Sequence, residues 1–230
     1  MIRLLVAAAG VAALGAWLAT RQAEGFAFTP FAWTEPDEAE ADQGTSWWQD
    51  VQTAMDPTTY IPPAVSAPVA DGNIRAFLDA IRFAEGTAGP DGYRTRFGGQ
   101  LFAGFDDHPR IAVQFRDRAG RLLWTSAAGA YQFMAVSPLP GGGSTKVNTW
   151  DRIKAKLQLP DFTPASQDAA AIELIRECGA LGDVIAGRVA DALRKCAPVW
   201  ASLPGAGYAQ PEKKLSQLLA AYRGAGGLVA

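Results

Sequence analysis

The chain has 230 residues, 49% of them hydrophobic and 19% charged, with a formal net charge of −2, two cysteines and one histidine. Apolar material is ample for a packed core, and this composition excludes wholesale disorder. It also excludes a zinc framework, which needs about four closely spaced ligands, and neither a Gly-x-x-x-x-Gly-Lys loop nor a Gly-x-Gly-x-x-Gly helix opening is present.

Residues 1–22 read as a signal-anchor or signal-like transmembrane helix. Leu4 to Thr20 is an uncharged run of seventeen residues, flanked by Arg3 and Arg21. Seven alanines and two glycines make it weakly apolar, and its length is at the short end for a spanning helix. A cleaved secretory signal is the rival reading, but its cleavage sites are poor. Cleavage after Ala23 would place Arg21 three residues back, and cleavage after Ala19 would place Trp17 there. Arg3 ahead of the run and acids behind it put the amino end in the cytoplasm and the body outside.

Residues 23–70 read as an acidic, aromatic and Pro-rich linker. Residues 1–70 hold two basic and eight acidic residues, a net −6, against 19 basic and 15 acidic residues in the remainder, a net +4. The basic residues of the body are scattered rather than striped, so no nucleic-acid partner is expected. Phe26, Phe28, Phe31, Trp33, Trp47 and Trp48 offer surfaces for packing on the body, for the membrane interface, or for assembly partners through residues 24–70.

Residues 71–230 form the candidate domain. Asp71 or Asn73 can cap a helix with apolar positions at Ile74, Phe77, Leu78, Ile81 and Ala84, and Gly86 supplies a stop. Glu85 then lies in the last turn, beside the apolar stripe. Burial and the negative end of the helix macrodipole both raise a carboxyl pKa there. Residues 89–105 suggest a short irregular hairpin or loop. Ile111–Phe115 and Leu122–Thr125 read as two strands joined by a turn at residues 118–121. Tyr131–Val136 is expected to begin the helical part. Ser137–Ser144 reads as a loop, followed by helices over 149–157, 163–177, 181–186, 189–196 and 212–223. Thr163 caps the second of these and Pro164 opens it. The class is α+β, mainly helical with a small sheet.

Few residues can carry chemistry. His108, in Asp-Asp-His-Pro-Arg, is the single histidine and reads as a hydrogen-bonded loop residue. Cys178 and Cys196 read more plainly as free buried thiols than as a disulfide. Glu85 is the carboxyl with an apolar setting; Asp106 and Asp107 are the candidates for a second acid or a cation stabiliser.

Six blocks carry a family resemblance: FLDAIRFAEGT, GGQLFAGFDDHPR, SAAGAYQF, LPDFTPASQDAAA, RECGAL and WASLPGAGYAQ. In this order they resemble the lambda-type phage lysozymes, endolysins that act as lytic transglycosylases on peptidoglycan. The resemblance covers residues 73–227. It implies a lysozyme-like fold, Glu85 as catalytic acid, and Gly129, Tyr131 and Gln132 in a sugar-binding cleft. Thr87 beside the acid either bonds the carboxyl, orients a sugar or caps the next turn. The implied reaction cleaves the MurNAc–GlcNAc β-1,4 bond and closes a 1,6-anhydro ring, with Glu85 as acid and then base. A hydrolytic muramidase using Asp106 or Asp107 is the close alternative. Others are a wall-opening component of a phage tail or a secretion or conjugation assembly, and a non-cleaving wall-binding module. No metal or cofactor is expected. The partners are glycan strands and, through the amino end, the inner membrane, with the domain in the periplasm. The Gly-rich segment at 137–148 and residues 1–70 depart from the family pattern.

Overall fold

A computed structural model describes residues 67–117, 120–206 and 212–230. The expectations for the apolar run and the linker lie outside these residues, apart from the linker's last four. Among the described residues, no helix is long and apolar enough to cross a membrane.

The domain is organised around α1 (Ala67–Glu85). Its residues Ile74, Phe77, Leu78, Ile81 and Ala84 are buried, and so are Ala76 and Ala80, which lie off that stripe. This helix is therefore central rather than half-exposed. It packs against three later helices, α3 (Pro164–Glu177), α4 (Leu181–Ile185) and α6 (Leu215–Gly224). The helix starts four residues before Asp71, so neither Asp71 nor Asn73 caps it. Asn73 lies buried in the helix. Its Nδ2 donates to the Ile185 carbonyl (3.1 Å) and its Oδ1 accepts from the Leu228 N–H (2.9 Å). The polar side chain ties α4 and the carboxyl end of the chain to α1, a long-range role that helix-start patterns do not reveal.

A smaller lobe follows. Gly92–Arg94 forms one 3-10 turn, and Thr95 bridges Leu101 in an irregular hairpin. β1 (Val113–Arg116) and β2 (Leu122–Thr125) pair antiparallel, with Val113 opposite Thr125 and Arg116 opposite Leu122. Phe97, Phe115, Ala127 and Met134 make a separate small core beneath this sheet.

Residues 131–136 are not helical, contrary to the sequence expectation. Ala128 pairs with Phe133 across a tight turn, with Gly129 at φ 80° and Gln132 at φ 49°. Two left-handed residues in four cannot continue a helix. The 137–144 segment is also an ordered turn. Pro138 bridges Ser144, and the Leu139 N–H donates to the Gly143 carbonyl (3.1 Å). Gly141, Gly142 and Gly143 all take positive φ there, which explains the glycine run.

The remaining helices form as their sequences dictate. α2 (Thr149–Leu157) and α5 (Val189–Cys196) match the expected bounds. Thr163 caps α3 through its side chain, and Pro164 opens it. The last helix begins at Leu215 rather than at residue 212. Trp150 stands against Phe162 at a ring separation of 4.6 Å and against Phe133 at 5.7 Å. Trp150 and Trp200 are both buried, while Tyr208 lies outside the described residues. Cys178 and Cys196 are free thiols, the first half-buried and the second buried.

Candidate active site

The site is built at the carboxyl end of α1. Gly86 takes φ 75°. Its N–H reaches the Phe83 carbonyl (3.2 Å), and the Thr87 N–H reaches back to Arg82 (2.8 Å). This pair of bonds is a Schellman cap, which ends the helix at Glu85 and turns the chain sharply. Glu85 is thereby fixed as the final helical residue, with its side chain only 3% exposed.

The Glu85 Oε1 accepts a hydrogen bond from the Ser202 hydroxyl at 2.6 Å, which leaves Oε2 to carry the acid proton. Burial pushes the Glu85 pKa up to about 7, and the Ser202 bond partly offsets this by favouring the carboxylate. The direction agrees with the sequence reading; the dominant physical cause is desolvation. A group at this value holds its proton through most of the acidic range and releases it near neutrality, as a general acid that later acts as base requires.

The 129–132 turn is locked beside the end of α1. The Thr87 hydroxyl donates to the Ala130 carbonyl (2.5 Å). The Ala130 N–H donates to Gln167 Oε1 (2.8 Å), while Gln167 Nε2 donates to the carbonyls of Tyr93 (3.0 Å) and Phe162 (2.7 Å). The Trp200 indole donates to the Tyr131 carbonyl (3.2 Å). Thr87 thus spends its proton on the turn and neither bonds the carboxyl nor offers its hydroxyl to a sugar. Gly129 leaves no room for a side chain: a Cβ there would stand 2.3 Å from Gln167 Oε1 and 2.8 Å from Phe162 Cζ.

Tyr131 differs from its expected role. It is 1% exposed, and its hydroxyl donates to Asp168 Oδ1 (2.5 Å), which also accepts from Tyr93 (2.8 Å). Its ring is core, so it presents no free face to a sugar; it supports the turn from behind. Burial lifts Asp168 to about 6 against the lowering effect of the two tyrosine hydroxyls. Gln132 stays in the candidate set. Its Nε2 donates to the Thr95 (3.1 Å) and Gly129 (2.9 Å) carbonyls, while its buried Oε1 has no partner among the described residues. An unmatched buried acceptor is costly unless something else meets it.

Asp106 and Asp107 are not joined to Glu85 by any hydrogen bond among the described residues. Asp106 is exposed. Asp107 accepts from Lys154 (2.9 Å), the Trp150 indole (3.1 Å) and Arg110 (2.9 Å). Partial burial works against its charge, but these bonds outweigh it and hold the carboxyl well below the usual range. It staples the small lobe to α2 and is a poor base. His108 is buried, with Nε2 on the Phe133 carbonyl (3.0 Å) and Nδ1 accepting from the Arg110 N–H (3.1 Å). Burial depresses its pKa to about 4, so it is a neutral structural residue.

The family model described as Endolysin matches residues 75–229. The chain belongs to the endolysin family. Two relatives are the endolysins of Escherichia phage P2 and Escherichia phage lambda. The first is 40% identical over 172 residues, spanning 69% of this chain and 95% of the relative. The second is 38% identical over 161 residues, spanning 67% and 92%. Among solved structures, bacteriophage lambda lysozyme complexed with a chitohexasaccharide matches with a TM-score of 0.59 at 36% identity, covering 69% of this chain and 97% of that one. The fold of this endolysin is therefore lysozyme-like, mainly helical with a small two-stranded sheet.

Within the endolysin fold, sequence reasoning missed Ser202, Gln167 and Asp168. Ser202 stands inside the WASLPGAGYAQ block, 117 positions from Glu85. Nothing local to either residue signals the bond between them; the block's likeness to the family was the available hint.

Proposed function

We propose that this endolysin degrades peptidoglycan as a lytic transglycosylase. The observation that carries the reading is the buried carboxyl of Glu85, held near neutral pKa with Ser202 as its partner, while the buried Glu173 and Asp183 are paired with cations and Asp107 is committed elsewhere. Ordinary glycosidases set two carboxyl groups across the bond. A transglycosylase does its work with one, because the substrate supplies its own nucleophile.

Glu85 gives its proton to the glycosidic oxygen between MurNAc and GlcNAc, and that C–O bond breaks. The neighbouring 2-acetamido group supports the positive charge at the anomeric carbon. The Ser202 hydroxyl, already aimed at Oε1, stabilises the carboxylate as its charge forms, which is differential stabilisation of the kind that lowers a barrier. Glu85 then takes the proton of the C6 hydroxyl of the same sugar while O6 bonds to the anomeric carbon. The acid is restored, the 1,6-anhydro ring is closed, and no water is consumed. Gln132 Oε1, without a donor among the described residues, would take an acetamido N–H of the substrate once a side-chain rotation exposed it. The relative's complex with a chitohexasaccharide supports a glycan strand as the ligand.

The test is product analysis after digestion of purified sacculi. Anhydro-muropeptides are lighter by about one water than hydrolysis products. Reducing-end muropeptides would instead establish a hydrolytic muramidase. Release of no muropeptides would leave only a wall-binding module.

Export through residues 1–22 is part of the same proposal, since the substrate lies outside the inner membrane. An alkaline phosphatase fusion after residue 30 is expected to be active; activity confined to the cytoplasm would reject export. Co-purification with a large particle would favour the wall-opening component of an assembly.

A further inference from the structure

Lys213 adjoins the Ser202 segment rather than the Glu85 carboxyl itself. Its backbone N–H donates to the Ser202 carbonyl at 2.9 Å, and the Ser202 hydroxyl holds Glu85. Its ammonium lies 5.2 Å from the centre of the Phe83 ring, in the same final turn of α1 as Glu85. A second tie braces this crossing: the Gly205 N–H donates to Glu212 Oε2 at 2.8 Å. The lysine is therefore positioned by backbone and ring and only half-buried.

Arg82, Arg110, Lys154, Lys156 and Lys195 each pair with a carboxylate. Among the described residues, no carboxylate lies within ion-pair distance of Lys213. Nor does a cation contribute to the pKa of Glu85, which burial and Ser202 set between them. A cation resting on an aromatic face in the helix turn that ends at Glu85, without an ion-pair partner among the described residues, fits an anion carried by the substrate.

Peptidoglycan differs from chitin in one relevant respect. Every second sugar bears a lactyl ether ending in a carboxyl or in an acidic peptide, and that ether sits on the sugar whose bond is cut. We propose that Lys213 is a specificity-determining residue that recognises the carboxylate borne by the muramyl substituent. The inference rests on the peptidoglycan reading above. It makes the endolysin distinguish muramyl strands from plain GlcNAc polymers by charge.

Lys213→Met is the suitable variant. It keeps an unbranched side chain to lie on Phe83 and keeps the N–H that Ser202 accepts, and only the charge goes. Wild type, Lys213→Met and Lys213→Arg are compared at low ionic strength on intact sacculi, on glycan strands stripped of peptide by an amidase, and in binding to chitohexasaccharide. The expected result is a KM on sacculi raised about five-fold for Lys213→Met, the value of one exposed ion pair, with chitohexasaccharide affinity tracking wild type. Lys213→Arg restores the KM, and about 0.5 M salt erases the difference. A loss on stripped strands reads the lactyl carboxylate that the amidase frees, since in sacculi that group is an amide; a loss confined to intact sacculi assigns the carboxylates of the peptide. Equal weakening on all three ligands, or no change on sacculi, overturns the proposal. Wild-type inactivity on sacculi would instead overturn the peptidoglycan reading itself.

Discussion

Glu85→Gln should both abolish cleavage and stabilise the fold, and the second effect is the sharper test. The Glu85 pKa rises from an ordinary 4.5 to about 7 on folding because the folded state buries it. A raised pKa means that the native state binds the proton more firmly than the unfolded chain. The contribution to stability is then fully present below about pH 4.5 and is lost as pH rises through about 7. At about 1.36 kcal/mol per pH unit, the loss across that window is about 3 kcal/mol. Glutamine has the shape of the protonated acid and can still accept from Ser202, so it escapes the loss. Urea unfolding followed by tryptophan fluorescence should show near-equal stabilities at pH 4. At pH 8 the variant should lead by about 3 kcal/mol, or roughly 6–12 °C in melting temperature for a domain of this size. Asp168 is also raised, but it is common to both proteins and cancels in the difference. Equal stabilities at pH 8, or an advantage confined to pH 4, would refute the claim that burial of this carboxyl sets its proton affinity.

Ser202→Ala removes the bond that favours the carboxylate, so the Glu85 pKa should move further up. The alkaline limb of the pH–rate profile on sacculi should shift upward by about one pH unit or less, and an unmoved or lowered limb would deny Ser202 its role. Gly129→Ala forces a side chain against Gln167 and Phe162 at φ 80°. Denaturant unfolding should record a loss of about 2–4 kcal/mol from clash and left-handed strain together. Asp107→Asn should lower the melting temperature by breaking the Lys154 and Arg110 ties yet keep cleavage of sacculi. Loss of cleavage in a folded Asp107→Asn variant would point to a second catalytic carboxylate.

Local signals wrote much of this structure into the sequence. The helices at 149–157, 163–177 and 189–196 carry their own apolar period, and Thr163 caps the second, so they form where the pattern places them. The first strand alternates and a turn joins it to the second, which sets the two side by side. Glu85 was legible because a charge beside an apolar stripe, just ahead of a helix-ending glycine, is anomalous on physical grounds alone. Its pKa direction followed from that placement.

The tertiary structure decided what the long-range bonds decide. Asn73 resembled a helix cap by type, but its partners are Ile185 and Leu228, more than a hundred residues away. Tyr131 resembled a sugar platform until Asp168 claimed its hydroxyl. The 131–136 segment lost its helix to the left-handed residues Gly129 and Gln132, which the turn requires for its grip on Thr87 and Gln167. Ser202 meets Glu85 only when the end of the α1 helix and the chain after α5 are folded together. Residue periodicity fixes which face of a segment is apolar; it says nothing of which distant polar atom will complete a buried hydrogen bond, and it is those bonds that shape this site.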